Sequence, residues 1–468
     1  MVEMMRNRTF SEIKIGDSAT LSRTCSMKDV ELFGVATGDL NPTHYSAASA
    51  EKFAQHRKVV AHSMWGGSLL SALLGNELPG PGTVYRSQDI EFLTPVEVGD
   101  TVTVTVTVAE KSAPADVVLD CLAVNQRAET LFTGRARVRA PLEKVVQPRM
   151  ELQEVALRRR HHVFEDIIAR CAELAPISVA VCHPCDQVSL EGPLEAARLG
   201  LIDPILIGPE AKIRSLAQEF GFDLTGMRII NTAHSHESAE KAVAMCRSGE
   251  AEALMKGSLH TDEMMHEVAS RDKGLRTARR ISHVFVMDVP TYPRTLLITD
   301  AAINIYPTLE DKADILQNAI ELAHVLGVEL PKVAILSAVE TVYPKINSTI
   351  DAAALCKMAD RGQITGAQLD GPLAFDNAIN EEAAKIKKIN SPVAGRADIL
   401  LVPDLEAGNM LAKQLSYLAE ADAAGIVLGA RVPIVLTSRA DSAKARLASC
   451  AVAVLFAHAR RIKGGAAS

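Results

Sequence analysis

VVAHSMWGGSLLSALLG, residues 59–75, decides the fold of the first part of the chain. The run reads as an apolar helix, and Gly66 and Gly67 would let another backbone or a long apolar chain come close to it. Downstream, residues 84–93 and 101–108 read as strands. The second is a strict alternation, TVTVTVTV, introduced by the Gly99-Asp100 turn. The architecture expected here is a long helix wrapped by an antiparallel sheet.

Upstream lies VATGDLNPTHYS, residues 35–46. Its D-x-N-P-x-H core places Asp39 and His44 on one short stretch, and Asn41-Pro42 is a turn signal that brings both side chains toward one point. A carboxylate and an imidazole held together can activate a water and deliver a proton. The plain alternative is that Asp39 caps a helix or turn and His44 is a surface histidine.

With GDLNPTH, AHSMWGGSLLSALLG, ELPGPGTVY and FLTPVEVGDTV in this order, the first third of the chain resembles the MaoC-like, (R)-specific enoyl-CoA hydratases of the hot-dog fold. The resemblance implies that Asp39 and His44 orient a water for addition to a 2-enoyl-CoA, with Asn41 in the site and Ser71 as the accompanying serine. Ser71 reads equally well as a helix hydroxyl bonded to its own backbone. Amides at the helix start, Ser63 among them, would polarise the thioester carbonyl. The family's usual His-Gly-Met is here His62-Ser63-Met64, and His62 reads as structural.

The length of 468 residues suggests about three folding units of roughly 150 residues. A hydrophobic fraction of 48% with 23% charged residues is ample for buried cores, and a net charge of -7 argues against nucleic acid as a partner. No apolar run reaches membrane-spanning length uninterrupted, and MVEMMRNRTF has no signal-peptide core, so a cytoplasmic protein is expected. Eight scattered cysteines read as reduced thiols. Cys182-His183-Pro184-Cys185 has redox or half-zinc spacing, yet nothing nearby completes a metal set, so it reads as a strand-end loop. Residues 141–160 combine prolines with dense charge and read as a linker passing into a helix, the Arg run forming a solvated face.

Beyond it the texture changes to short continuous apolar runs separated by helical stretches: 178–181, 205–207, 229–230, 284–287, 296–298, 333–336, 399–402 and 434–436. Such runs signal parallel strands covered on both faces. A helix over 310–327, with Leu316, Ile320 and Ala323 on one face, stops at Gly327. Ligands of parallel sheets collect beyond the carboxyl ends of strands, where Lys256-Gly257-Ser258, Asp300, Asp370-Gly371-Pro372, Pro403-Asp404 and Ser438-Arg439 stand. Neither G-x-G-x-x-G nor a Walker sequence occurs among them, so a nicotinamide oxidoreductase or an ATP site is not indicated.

LMKGSLHTDEMM, ITDAAINIYPTLEDKADI, DGPLAFDNAI, SPVAGRADILLVPDLEAGNMLAKQL and VLTSRADS together resemble the phosphate acetyl/butyryltransferases, over about residues 165–468. That family is two α/β lobes with a cleft between them and moves an acyl group from CoA to phosphate. The resemblance implies Arg439 as the phosphate clamp, through its forked guanidinium, and Ser438 as hydrogen-bond partner of the CoA sulfur or thioester carbonyl. Asp376 and Asn409 are candidate cleft residues that read equally as caps or turns. Lys256 is a candidate for phosphate or the CoA diphosphate, with a solvated lysine as the alternative. The stretch 443–446 lacks the acidic residue usual in acetyl-specific members, which leaves a base for the CoA thiol unassigned.

The resulting expectation is an α+β hot-dog domain (1–145), a linker (146–162) and a two-lobed, parallel-sheet α/β domain (163–468), its lobes formed by 163–296 plus 431–468 and by 297–430. No bound cofactor or metal is expected. The substrates expected are CoA thioesters and phosphate, with no nucleic-acid or membrane partner and a homodimer or higher homo-oligomer. Both halves would be enzymes. The alternative is one active domain regulated or oligomerised by an acyl-CoA-binding partner domain, as fold alone does not settle activity.

Overall fold

The computed structural model describes residues 4–54, 58–150, 155, 162–436 and 442–465. The chain divides into two compact units, Met1–Leu157 and Arg158–Ser468.

In the first unit β1 (Met4–Arg6), β2 (Ser18–Thr24), α1 (Met27–Thr37), a one-turn 3-10 helix (Pro42–His44), α2 (Ala47–Ala54) and α3 (Ser63–Asn76) precede β3 (Val84–Phe92), β4 (Thr101–Ser112), β5 (Asp116–Val124), β6 (Thr130–Arg139) and β7 (Val146–Pro148). An antiparallel five-stranded sheet in the order β2-β4-β5-β6-β3 provides the frame. The Thr/Val alternation of β4 does what its period demands. Val102, Val104 and Val106 are fully buried, and the threonines between them stand on the other face. The buried valines meet Trp65, Leu69, Leu70, Leu73 and Leu74 of α3 in one core, so this is the hot-dog arrangement expected. Removing a Leu side chain here, as in Leu70→Ala, costs about 2–5 kcal/mol. Gly66 and Gly67 face side chains of the sheet itself, their virtual Cβ atoms 3.4 Å from Phe132 and from Ile90. The close approach read from the sequence is therefore filled by the protein's own core. β7 pairs with β1, so ordered sheet structure extends past residue 145 into the stretch read as linker.

The second unit holds β8 (Ile177–Cys182), β9 (Ile202–Gly208), β10 (Arg228–Asn231), β11 (Ala253–Lys256), β12 (Ser282–Asp288), β13 (Leu296–Thr299), β14 (Lys332–Leu336), β15 (Gln368–Leu373), β16 (Ile399–Leu401), β17 (Asp422–Leu428) and β18 (Ile434–Val435). They form one sheet, β10-β9-β8-β11-β18-β17-β12-β13-β16-β14-β15. Every apolar run picked from the sequence is a strand, and the helix read at 310–327 runs Leu309–Val325 behind a Thr308/Asp311 capping box. The all-parallel expectation needs correction at the centre. β10 to β18 form one parallel set and β13, β16, β14 and β15 another, but β17 and β12 between them pair antiparallel with their neighbours. The strand direction reverses from β18 to β17, again to β12 and again to β13. The two parallel sets thus run in opposite senses, and their carboxyl ends open on opposite edges of the sheet.

Candidate functional sites

Asp39 and His44 converge as their spacing predicts. α1 ends at Gly38 in the left-handed region, φ 76°, which turns the chain into Asp39. The Asp39 carboxylate accepts the Asn41 amide (3.1 Å), and the Asn41 side chain in turn accepts the Thr43 amide (3.3 Å), so Asn41 shapes the bend. His44 Nδ1 lies 2.8 Å from the Val60 carbonyl oxygen. A carbonyl only accepts, which assigns the proton of the neutral ring to Nδ1 and leaves Nε2 as the free lone pair.

His62, read from the sequence as structural, joins this pair. It sits before the first turn of α3 without capping the helix, is 2% exposed, and places Nε2 3.2 Å from the Asp39 carbonyl oxygen and 3.9 Å from its carboxylate. Its ring stacks on His44 with centroids 3.9 Å apart and planes inclined by 33°. The signal that could have found it is a histidine at a helix N-cap position that favours Ser, Thr, Asp or Asn. Tyr45 completes the frame, its hydroxyl donating to the Asp39 carbonyl (2.8 Å). Burial first, and then the nearby Asp39 charge, hold that phenol above its ordinary pKa and keep it a donor.

Ser71 lies within α3 (Ser63–Asn76). It is exposed on α3, and among the described residues no hydrogen bond joins it to Asp39, His44 or His62. Ser63, also exposed, opens α3 beside His62 with its amide in the first turn. Ligand atoms of Asp39, His44 and His62 lie within 4.8 Å of one another. With His44 Nδ1 and His62 Nε2 engaged by backbone carbonyls, the ligand atoms these three residues still offer are His44 Nε2, His62 Nδ1 and the Asp39 carboxylate.

In the second unit Lys256 ends β11, next to β18, where Val435 is in register with Met255. Ser438 and Arg439 lie outside the described residues. The backbone after Lys256 is tightly seated. Ser258 Oγ donates to the His183 carbonyl (2.9 Å) and accepts the Cys185 amide (3.2 Å), tying the strand-end loops of β8 and β11 together. Cys182 and Cys185 are buried, and burial pushes both thiols up, Cys185 to about 11. That suits a structural loop and not thiolate chemistry.

Asp300 follows β13 on the other edge and is nearly fully buried. Its carboxylate accepts the amides of Ala302, Ile303 and Asn304 at 3.0–3.1 Å and the Asn304 side chain at 2.5 Å. Asn409, on the helix Leu405–Leu418, donates to the Ala301 carbonyl (3.2 Å) and so braces this loop. Asp376, at the start of the short helix Phe375–Ile379, is exposed and pairs with Lys387 at 3.5 Å. Lys256 therefore leaves the sheet on one edge, and the loop that Asn409 braces leaves it on the other.

Comparison with known proteins gives these units their class and then their family. The description "MaoC like domain" matches residues 12–120, so the first unit is a MaoC-like hot-dog domain. "Phosphate acetyl/butaryl transferase" matches residues 234–454. A phosphate acetyltransferase of Rhizobium meliloti is 66% identical over 298 residues, 64% of this chain and 94% of the relative. A phosphate butyryltransferase of Clostridium acetobutylicum is 42% identical over 294 residues, 63% of this chain and 98% of the relative. Among solved structures, a branched-chain phosphotransacylase from Enterococcus faecalis V583 is similar with TM-score 0.52 and 30% identity, over 60% of this chain and 99% of that one. Through its second unit the chain belongs to the phosphate acetyl/butyryl transferase family. No described helix is long and apolar enough to cross a membrane.

Proposed function

We propose that the chain is a bifunctional enzyme of CoA thioesters. Its second unit transfers an acyl group reversibly from CoA to inorganic phosphate, acetyl in the first instance and butyryl as the alternative. Its first unit hydrates a 2-enoyl-CoA to a 3-hydroxyacyl-CoA. Transfer is supported by the identity to the Rhizobium meliloti relative over nearly its whole length. Hydration is carried by one geometric observation: His44 keeps Nε2 free beside the Asp39 loop because Val60 occupies Nδ1.

In hydration, His44 Nε2 and the Asp39 carboxylate hold a water. One of its protons passes to this pair, its oxygen bonds to C3 of the enoyl group, and a proton goes to C2, so that water is added across the double bond with nothing left over. Amides at the start of α3 bear the charge that develops on the thioester oxygen. In transfer, a phosphate oxygen attacks the thioester carbonyl and the CoA sulfur leaves. Arg439 would clamp the phosphate and Ser438 would bond the sulfur or carbonyl, while Lys256 would add positive charge. This chemistry needs no metal or bound cofactor. A homo-oligomer that binds neither nucleic acid nor membrane fits this reading.

The test is to incubate the full chain with phosphate, crotonyl-CoA and acetyl-CoA and to identify products by mass spectrometry, for the native sequence and for Asp39→Asn and Arg439→Ala. A water adduct lost only in Asp39→Asn, and acetyl phosphate lost only in Arg439→Ala, are expected. Transfer without any hydration would reduce the first unit to a binding module.

A further inference from the structure

We infer that His62 is the positioning residue of the hydration site: it clamps the Asp39 loop and fixes the plane of the His44 ring. The inference rests on the hydration reading above and adds a residue to it. Three independent contacts converge on this one side chain. Its Nε2 reaches the Asp39 carbonyl oxygen at 3.2 Å, its ring lies 3.9 Å from that of His44, and the Phe33 ring backs it at 5.2 Å.

Hydrogen-bond logic fixes its tautomer. The Asp39 carbonyl oxygen has no proton to give, so His62 Nε2 carries it, and in the neutral ring Nδ1 is then an acceptor. Nδ1 is buried and, among the described residues, has no hydrogen-bond partner. A residue kept only for stability would be better served by an apolar ring, which would bury the same volume without an orphaned acceptor. An imidazole retained at that cost is explained by what its other nitrogen does. It holds the backbone of the residue whose carboxylate must share a water with His44, and its flat face prevents the His44 ring from turning away from the lone pair that Val60 sets up.

His62 touches no reacting atom, so its removal should act on kcat and leave KM nearly alone. In the full chain, His62→Ala is expected to lower kcat for crotonyl-CoA hydration about 10- to 100-fold with KM changed less than about threefold. His62→Gln, whose amide N–H can replace Nε2–H, should recover most of that loss. Fluorescence of Trp65, the single tryptophan of the chain and part of the first unit's core, reports whether that unit is folded. Nitrogen-15 NMR of the histidine side chains should find His62 in the Nε2–H form and His44 in the Nδ1–H form in the native chain. The His44 signal should become exchange-broadened in His62→Ala and sharpen again in His62→Gln.

Native kcat in His62→Ala, or a Gln variant as slow as the Ala variant while its Trp65 fluorescence is native, would overturn the inference. So would a His62 in the Nδ1–H form. A native chain with the expected tautomers and no hydration would instead overturn the hydration reading and leave the clamp standing as structure.

Discussion

A side chain on Gly34 would collide with Tyr45: its Cβ would stand 1.8 Å from the phenolic oxygen, the atom that donates to the Asp39 carbonyl. α1 therefore presents a bare backbone to the loop it feeds, and Tyr45 reaches over that gap to hold Asp39. Gly34→Ala should displace the tyrosine and lower hydration about 10- to 100-fold, because misplacement of a catalytic group by about 1 Å has that effect. Acyl transfer by the other unit should not change. Equal hydration rates in the two proteins would refute the coupling between Gly34 and Asp39.

Asp300 makes a comparable prediction for the second unit. Its buried carboxylate is the acceptor for three backbone amides and the Asn304 side chain. Asp300→Ala would orphan these donors, at about 1–3 kcal/mol for each that finds no new partner. We expect a loss on the order of 3 kcal/mol in urea unfolding of this unit. Asn304→Ala, which removes one donor and leaves the acceptor, should cost less.

What could be read in the sequence follows from how local each signal is. The β4 alternation and the apolar runs of the second unit encode burial residue by residue, so they became strands. β15, QLDGPL, is interrupted by Asp370, Gly371 and Pro372 and has no run to recognise, whereas β11, ALMK, and β17, DAAGIVL, carry short apolar runs that the reading above leaves out. The antiparallel turn of the sheet at β17 and β12 is set by which distant strands pair, and no period carries that. In the candidate site of the first unit the Asp39 and His44 pair is local and was legible. His62 lies 18 residues beyond His44 and joins the site only through the fold.

His283 ties stability to acidity. It is enclosed in β12 against Phe285, with Gly425 so close that a Cβ there would lie 2.9 Å from its Nε2, and burial holds its pKa down at about 3 instead of 6.5. Between those values the unfolded chain takes up a proton that the folded one refuses. Stability from this group is therefore full above about pH 6.5 and falls by about 1.4 kcal/mol per unit as pH drops below it. His283→Leu should be less sensitive to acid by that slope. Denaturant midpoints by circular dichroism at pH 7 and pH 5.5 would check it, and parallel losses in both proteins would contradict it.

Gly257 offers the most direct test of which sheet edge carries acyl transfer. It separates Lys256 from Ser258, and a Cβ there would lie 2.3 Å from the Cys182 carbonyl oxygen and 2.5 Å from that of His183. These are backbone atoms at the end of β8 and cannot swing aside as a flexible side chain would. Gly257→Ala must therefore push the loop after β11 outward, carry the Lys256 ammonium with it and strain the Ser258 bonds that join the two strand ends. If this edge, next to β18, binds phosphate and CoA, transfer should fall at least about tenfold while crotonyl-CoA hydration is unchanged. Undiminished transfer in a variant whose thermal unfolding confirms a folded second unit would move the site away from Lys256, toward the opposite edge where Asp300 and Asn409 stand.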